Sequence, residues 1–151
     1  MTTNASPSIP IKKLQREEAL LTKQYSRLLA QNFMLDDIGK GWYHILQHMF
    51  DKLAELGQPL QLRLAQNCNG TLRVYFWCEC AETKMLADIV VRRAERQSTQ
   101  TCWYCGAGGA RIVQRRNEFY LPLCDKHRQQ QNHKAGSATT TTTATTLDTI
   151  K

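Results

Sequence analysis

The feature that most constrains this chain is a set of three cysteines and one histidine near its C-terminus. Cys102 and Cys105 form a C-x2-C pair, and after eighteen further residues Cys124 and His127 form a C-x2-H pair. Zn2+ prefers a tetrahedron of thiolate and imidazole ligands, and two close pairs supply four such ligands with little strain in the loop between them. The spacing therefore predicts one structural zinc site.

The residues around these two pairs predict the shape of the module. Gly106 follows the first pair, where a tight turn needs a residue that tolerates a positive φ. Residues 111–115 and 118–121 predict a short β-hairpin, and a final helix should begin at Cys124 or Asp125. A turn, a hairpin and a helix that carries the last two ligands are typical of a treble-clef arrangement.

The same ligand set argues against an enzyme. Four protein ligands leave no open position on a tetrahedral metal, which is the mark of a structural site. His44 and His48 lie one helical turn apart, but the H-E-x-x-H pattern of a metalloprotease is missing. Because the sequence also holds no nucleophilic triad, Walker loop or dinucleotide-binding glycine pattern, we expect a non-enzymatic protein without a small-molecule substrate.

The cellular location bears on how the other three cysteines are interpreted. No apolar run approaches the roughly 20 residues of a membrane span, and residues 1–10 are too polar for a signal peptide. We therefore expect no membrane association and a cytoplasmic location, where cysteines are more often metal ligands or free thiols than disulfides. A second metal site made by Cys78, Cys80 and His48 is a minor alternative to a packing role for Cys78.

The positive charge is concentrated in the same part of the chain. The formal net charge is +7 over 151 residues, and residues 101–134 carry six Lys or Arg against two Asp or Glu. A basic patch attracts nucleic acid or acidic proteins, although charge also serves solubility alone.

Three helices are predicted from apolar residues at helical spacing, over residues 11–32, 42–56 and about 82–98. The third helix is expected to bury one apolar face, formed by Leu86, Ile89, Val90 and Ala94.

Between the second and third helices, two runs of alternating apolar residues around Asn69-Gly70 predict a β-hairpin. A two-residue turn would pair Leu64 with Tyr75 and place the two apolar rows on opposite faces. A three-residue loop pairs Leu64 with Val74 and aligns the rows, so we prefer this register.

Two surfaces are candidates for binding nucleic acid or a host protein. The first is the hairpin face opposite the apolar rows, whose aromatic and basic side chains are Arg63, Arg73, Tyr75 and Trp77. The second is a basic cluster around the metal module, formed by Arg111, Arg115, Arg116, Lys126 and Arg128. Arg92, Arg93 and Arg96 of the third helix could extend it. The alternatives are that other elements cover the hairpin face and that the cluster only balances thiolate charge.

Several short motifs occur in a fixed order between residues 41 and 128. They are Gly41-Trp42 at a helix start, Gly70-Thr71-Leu72-Arg73-Val74-Tyr75 in a strand, Ala94-Glu95 near a helix end, Cys102-x-x-Cys105-Gly106, and Leu123-Cys124-Asp125-x-His127. This set resembles a family of small, mostly uncharacterised zinc-binding proteins of bacteria, phages and plasmids. The resemblance implies zinc and a mobile-element setting, and it implies no known activity.

The sequence as a whole predicts an α+β fold, with N-terminal helices and a β-hairpin followed by a C-terminal treble-clef-like zinc module. The expected parts are a disordered lead-in over 1–10, a helix-helix-hairpin-helix core over 11–100, the zinc module over 101–134 and a Thr-rich disordered tail over 135–151. The expected function is that of a nucleic-acid-binding or regulatory accessory protein of a phage, plasmid or other mobile element. The alternative is a protein-binding inhibitor or adaptor acting on a host protein complex. The first helix, with its heptad-like spacing, could also pair with a second copy.

Overall fold

The computed structural model describes residues 11–57, 59–115 and 119–136. The predicted lead-in over 1–10 lies outside the described residues, as do Arg116 and the predicted tail beyond residue 136. The expectations for those segments therefore stay predictions.

The described residues form four α-helices, five β-strands and one short 3-10 helix. Their order is α1 (Ile11–Gln24), β1 (Leu29–Asp36), the 3-10 helix (Lys40–Trp42), α2 (Tyr43–Ala54), β2 (Leu60–Cys68), β3 (Thr71–Cys78), α3 (Ala81–Thr99), β4 (Arg111–Gln114), β5 (Tyr120–Leu123) and α4 (Asp125–Gly136). The mixed α+β class is thus confirmed. The bounds of α2 and α3 lie within two residues of those predicted.

The strands form two separate sheets. In the larger sheet the order is β1-β2-β3, with β1 parallel and β3 antiparallel to β2. The smaller sheet pairs β4 with β5. The main core lies between α2, α3 and one face of the larger sheet, and its largest fully buried side chains include Trp42, Phe50 and Leu62.

The predicted first helix is wrong in its second half. The helix ends at Gln24, and Leu29–Asp36 is a strand parallel to β2. Side chains alternate along this strand: Phe33 and Leu35 are half-buried against the core, whereas Asn32, Met34 and Asp36 are exposed. This period of two spans few residues, and the strand that stabilises it follows much later in the chain, so the helical spacing upstream hid it.

The predicted three-residue hairpin loop is also wrong. Asn69 and Gly70 form a two-residue turn with φ angles of 53° and 82°, which is the type I′ pattern that an Asn-Gly pair favours. As this turn requires, Leu64 pairs with Tyr75 and not with Val74.

A shift of register around Arg63 realigns the two apolar rows. The pairing shifts between Leu62 and Leu64, so Leu62 lies opposite Phe76 and Gln61 lies opposite Trp77, which are the pairs that a three-residue loop would also give. An extra residue in one strand of a pair is a β-bulge, which returns the following side chains to the opposite face. The bulge therefore removes the conflict between turn type and hydrophobic pattern that had favoured the longer loop.

The buried face of α3 differs from the predicted one. The buried residues are Thr83, Ala87, Val91, Ala94 and Ser98. Leu86 and Ile89, which were predicted to be buried, are 52% and 63% exposed. The helix turns its small residues inward because it lies close along the outer edge of β3.

Hydrogen bonds show how closely α3 follows that edge. The backbone N–H of Leu72 donates to Ser98 Oγ at 2.9 Å, and the N–H of Val74 donates to a carboxylate oxygen of Glu95 at 3.4 Å. An edge strand otherwise leaves such N–H groups without a partner. Glu95 and Ser98 therefore supply hydrogen-bond acceptors for the edge strand, which apolar side chains could not do.

The cysteine-rich module contacts the core at the segment that leads into α2. Trp42 is fully buried, and its indole Nε1 donates to the Thr101 carbonyl at 3.1 Å. The Gly41 N–H donates to the Trp103 carbonyl at 2.9 Å. A Cβ on Gly41 would lie 1.9 Å from the Cys102 carbonyl oxygen, and one on Gly39 would lie 2.2 Å from that of Trp103. Only glycine permits this approach at both positions.

Gly41→Ala should lower the free energy of unfolding by about 3 kcal/mol, because the added methyl group meets rigid backbone atoms. Gly108→Ala is the matched control, since a Cβ there meets nothing within 4 Å. Urea titration of both variants measures the effect. Equal midpoints for the two variants would contradict the close contact.

Tyr25 fastens the turn after α1 to α2. Its ring packs edge-on against Phe50 with centroids 5.2 Å apart, and its hydroxyl donates to the Asp51 carboxylate. Burial, reinforced by the hydrogen bond to Asp51, raises the pKa of Tyr25 to about 12 from its ordinary 10.0.

This raised pKa predicts an alkaline loss of stability that depends on one hydroxyl. The folded protein holds the phenol proton more tightly than the unfolded chain, so the stabilisation is complete below pH 10.0 and is lost as the pH rises towards about 12. In Tyr25→Phe, the free energy of unfolding should therefore fall less steeply as the pH rises through this range. The free energy of unfolding of both proteins, measured in urea at stepped pH, tests it, and parallel slopes would contradict it.

Candidate metal centre

The four predicted ligands come together from three parts of the chain. Cys102 and Cys105 lie in the turn after α3, Cys124 lies between β5 and α4, and His127 lies in the first turn of α4. One potential ligand atom from each residue lies within 4.8 Å of all the others.

The distances fit a tetrahedral metal ion. The sulfurs of Cys105 and Cys124 are 3.8 Å apart, and His127 Nδ1 lies 3.2 Å from the sulfur of Cys124 and 3.4 Å from that of Cys102. A tetrahedron with zinc bonds of about 2.3 Å to sulfur and 2.0 Å to nitrogen separates its ligands by roughly 3.5 to 3.8 Å. All six cysteines are free thiols. The four side chains could therefore hold a metal ion.

The local backbone explains why the first pair points inward. Gly106 has a φ of 77°, and its N–H donates to the Cys102 carbonyl at 2.9 Å. The Cys102 N–H donates to Ala107 at 2.8 Å, and the Trp103 N–H donates to Pro122 of β5 at 2.9 Å. These bonds close the turn and tie it to the hairpin, as the glycine after the second cysteine predicted.

The environment of the sulfurs favours the thiolate form at Cys102 and the protonated thiol at Cys105. Burial alone would raise the pKa of the Cys102 thiol, but backbone hydrogen bonds from Cys124, Cys105 and Tyr104 outweigh it and hold that pKa below its ordinary value. Burial and the neighbouring thiols raise the pKa of Cys105. A coordinated metal ion deprotonates such a thiol outright.

Aromatic and basic residues enclose the histidine side of the site. The Tyr104 ring lies 5.3 Å from the His127 ring and 4.9 Å, edge-on, from that of Trp103. Arg115 donates to the Tyr104 hydroxyl at 2.6 Å, with its guanidinium carbon 5.7 Å from the ring centroid. This layer orients the imidazole ring.

Some members of the predicted basic cluster are held by contacts within the chain, and others are exposed. Arg115 is half-buried on Tyr104, and Arg128 forms an ion pair with Asp125 at 2.6 Å. Arg111 and Lys126 are exposed, and Arg116 lies outside the described residues. Half of the described cluster thus has a structural contact.

The predicted hairpin surface is open. Tyr75 and Trp77 are 50% and 45% exposed, and Arg63 and Arg73 are exposed as well. Within the described ranges, neither α1 nor the metal module covers these side chains, contrary to the alternative that other elements cover the hairpin face. We call the side of the larger sheet that carries Arg73, Tyr75 and Trp77 the open sheet face.

Two features of this surface were not among the predicted site residues. Met34 of β1 is 59% exposed and lies beside Leu64, which in turn pairs with Tyr75. Sequence reasoning missed Met34 because its segment was predicted to be helical.

The second feature is a cleft of about 450 Å3 between β3 and α3, which we call the arginine cleft. Its lining residues are Thr71, Arg73, Arg92, Glu95, Arg96 and Thr99. Arg73 forms an ion pair with Glu95 at 3.0 Å. The sequence placed Arg92 and Arg96 on a basic helix face, but only the tertiary structure brings them beside Arg73.

The remaining cysteines lie apart from the metal ligands. Cys68 and Cys80 are exposed and Cys78 is half-buried against the core, which fits its predicted packing role. Hydrogen bonds with Thr83 and Glu82 lower the pKa of Cys80. Across the described ranges, Cys102, Cys105, Cys124 and His127 are the one group of three or more side chains that could hold a metal ion.

Comparison with known proteins adds no relative to this picture. No protein-family profile matches the chain, and no curated protein or solved structure matches it. Fold and site define a small α+β protein with a Cys3His cluster that could hold a metal ion. In the part of the chain that the structure describes, no helix is long and apolar enough to cross a membrane.

Cys105→Ser should weaken metal binding at least about 100-fold, because loss of a direct ligand exceeds the 10–100-fold effect of an outer contact. Cys68→Ser is the matched control, since Cys68 is exposed and outside the cluster. Native mass spectrometry should find one metal ion per chain in the control and none in the ligand variant. Equal metal content would contradict the site.

Chelation should release hydrogen-exchange protection across residues 101–115 and 119–131 while α2 and α3 stay protected. The reason is that the small cluster around Cys102 has few apolar side chains of its own, whereas the helices share the main core. Exchange measured with and without chelator tests this, and unchanged protection of the module would contradict a structural role for the metal.

Proposed function

We propose that this chain is a non-enzymatic, zinc-stabilised protein that binds single-stranded nucleic acid on its open sheet face and in the arginine cleft. The Cys3His donor set supports zinc over Mg2+ or Ca2+, which prefer oxygen ligands. The order of turn, β4–β5 hairpin and α4 supports a treble-clef-like module. Four protein ligands leave no open position for catalysis.

The aromatic pair on β3 supports contact with bases. Tyr75 and Trp77 are two residues apart on one strand, so their side chains lie on the same face, roughly 7 Å apart along it. Each ring is about half exposed. Exposed aromatic rings on an open sheet stack with bases of unpaired strands, whose faces a duplex would keep covered.

The observation that carries the proposal is the arginine cleft directly beside these rings. Arg73 stands next to Tyr75 on the same face of β3 and reaches across the strand edge to Glu95, where Arg92 and Arg96 join it. Three guanidinium groups there face one carboxylate. A guanidinium group can bind two phosphate oxygens at once. Bases stacked on the sheet would place the phosphates of the adjoining nucleic-acid backbone in the cleft, next to these groups.

The binding test uses fluorescence anisotropy with a labelled single-stranded oligonucleotide and its duplex form at about 50 mM salt. Tyr75→Ala with Trp77→Ala should weaken single-strand binding at least about tenfold, since each stacked base contributes about 1–3 kcal/mol. Phe119→Ala is the matched control, because Phe119 is an equally exposed aromatic residue on the metal module.

Arg92→Gln with Arg96→Gln should weaken binding to all sequences alike and should lower the salt slope by about 2. Arg111→Gln is the control outside the cleft. No binding of any oligonucleotide by the unmodified protein would overturn the proposal.

A protein-binding inhibitor or adaptor is the second candidate, and Met34 favours it. Met34, Leu64 and Tyr75 form a row across the three strands, and Met and aromatic residues are enriched where proteins bind each other. A nuclease-treated pull-down that recovers one stoichiometric protein, lost with Met34→Ser, would support this candidate. The mobile-element setting, the bacterial cytoplasm and a regulatory role rest on the family resemblance and belong to the same proposal.

A further inference from the structure

The solvent side of α3 carries apolar side chains that neither the core nor the proposed function uses. Met85, Leu86 and Ile89 are 69%, 52% and 63% exposed. They lie within two turns of a helix whose other exposed residues are mostly charged. A contiguous apolar group of this kind marks a contact surface more often than an isolated leucine does.

Leu86 and Ile89 belong to a row of four side chains along one side of the helix, which we call the seam. Glu82, Leu86, Ile89 and Arg93 are spaced by four, three and four positions, the spacing that aligns side chains along one face of a helix. All four are exposed. The seam therefore reads acidic, apolar, apolar, basic from the N-terminal to the C-terminal end of the helix.

We propose that α3 pairs antiparallel with α3 of a second copy of this chain, with Glu82 facing Arg93 and Leu86 facing Ile89 across a two-fold axis. A two-fold contact uses the same patch on both copies, so each pairing occurs twice. The acidic and basic ends of the seam are then complementary, and the two apolar positions meet at the centre.

Charge is what selects a second copy as the occupant and antiparallel as the orientation. A parallel pair would place Glu82 on Glu82 and Arg93 on Arg93, which repel. Across the described residues neither Glu82 nor Arg93 forms an ion pair within its own chain, whereas Lys84 pairs with Asp88 on the side of the helix towards β3. Both ends of the seam are thus available to a neighbour.

A groove of about 120 Å3 lies beside the seam, between α2 and α3. Ile45, Met49, Ile89 and Val90 are among its lining residues, so its floor is apolar. The groove extends the apolar surface next to Leu86 and Ile89 that the pairing would cover.

The arginine cleft lies roughly a quarter turn round α3 from the seam, towards β3, so pairing along the seam leaves the open sheet face accessible. The proposal is therefore independent of nucleic-acid binding, and its test needs no oligonucleotide.

A charge-swap series in the full-length chain tests the pairing by sedimentation equilibrium. The unmodified protein should show a concentration-dependent dimer. Glu82→Arg and Arg93→Glu, made singly, each turn two attractive pairs into two repulsive ones and should raise the dimer dissociation constant at least about tenfold. The double swap restores complementarity and should restore the dimer. An equimolar mixture of the two single variants should form a heterodimer.

Lys126→Glu is the matched control, because it makes the same charge change at an exposed position on the metal module. Circular dichroism checks that every variant is folded. A monomer at all concentrations up to about 300 µM would overturn the proposal. So would a dimer that responds equally to Arg93→Glu and to Lys126→Glu, or one that survives both single swaps, since either would locate the contact elsewhere, for example on α1.

Discussion

The close approach between the Cys102–Gly106 turn and the backbone at Gly39 and Gly41 joins the two halves of this protein. A hydrogen bond from Gly41 to Trp103 and one from the buried Trp42 indole to the chain just before Cys102 hold the contact. The turn that carries Cys102 and Cys105 and the start of α2 therefore contact each other across the boundary predicted at residue 100.

Helix α3 has a different role on each of its sides. Its small and polar inner face follows the edge of β3, where Ser98 and Glu95 accept the strand's outward N–H groups. This contact closes the edge to further strands, while the open sheet face keeps its aromatic rings exposed. The proposed nucleic-acid surface and the proposed α3 pairing then use adjacent sides of one helix, the first towards β3 and the second towards solvent.

Sequence patterns predicted correctly the bounds of those elements whose contacts are between residues close in the sequence. The bounds of α3 and the start of α4 at Asp125 followed from periodicity and spacing alone. The Asn69-Gly70 turn obeyed its own chemistry, but the bulge at Arg63 that reconciled it with the apolar rows left no local signal. β1 was missed because a parallel partner lies far along the chain, and its eight residues follow directly on helical spacing.

The sequence by itself determined which four side chains could hold a metal ion, because two close pairs of cysteine and histidine residues supply a complete tetrahedral ligand set. It also determined that Gly106 would close the turn. Only the tertiary structure decided which side of α3 is buried, because the nearness of β3 favours small residues over Leu86 and Ile89. With this side of α3 buried, the apolar seam is exposed and Arg73 lies beside Arg92 and Arg96. Both outcomes depend on contacts between segments that are distant in the sequence.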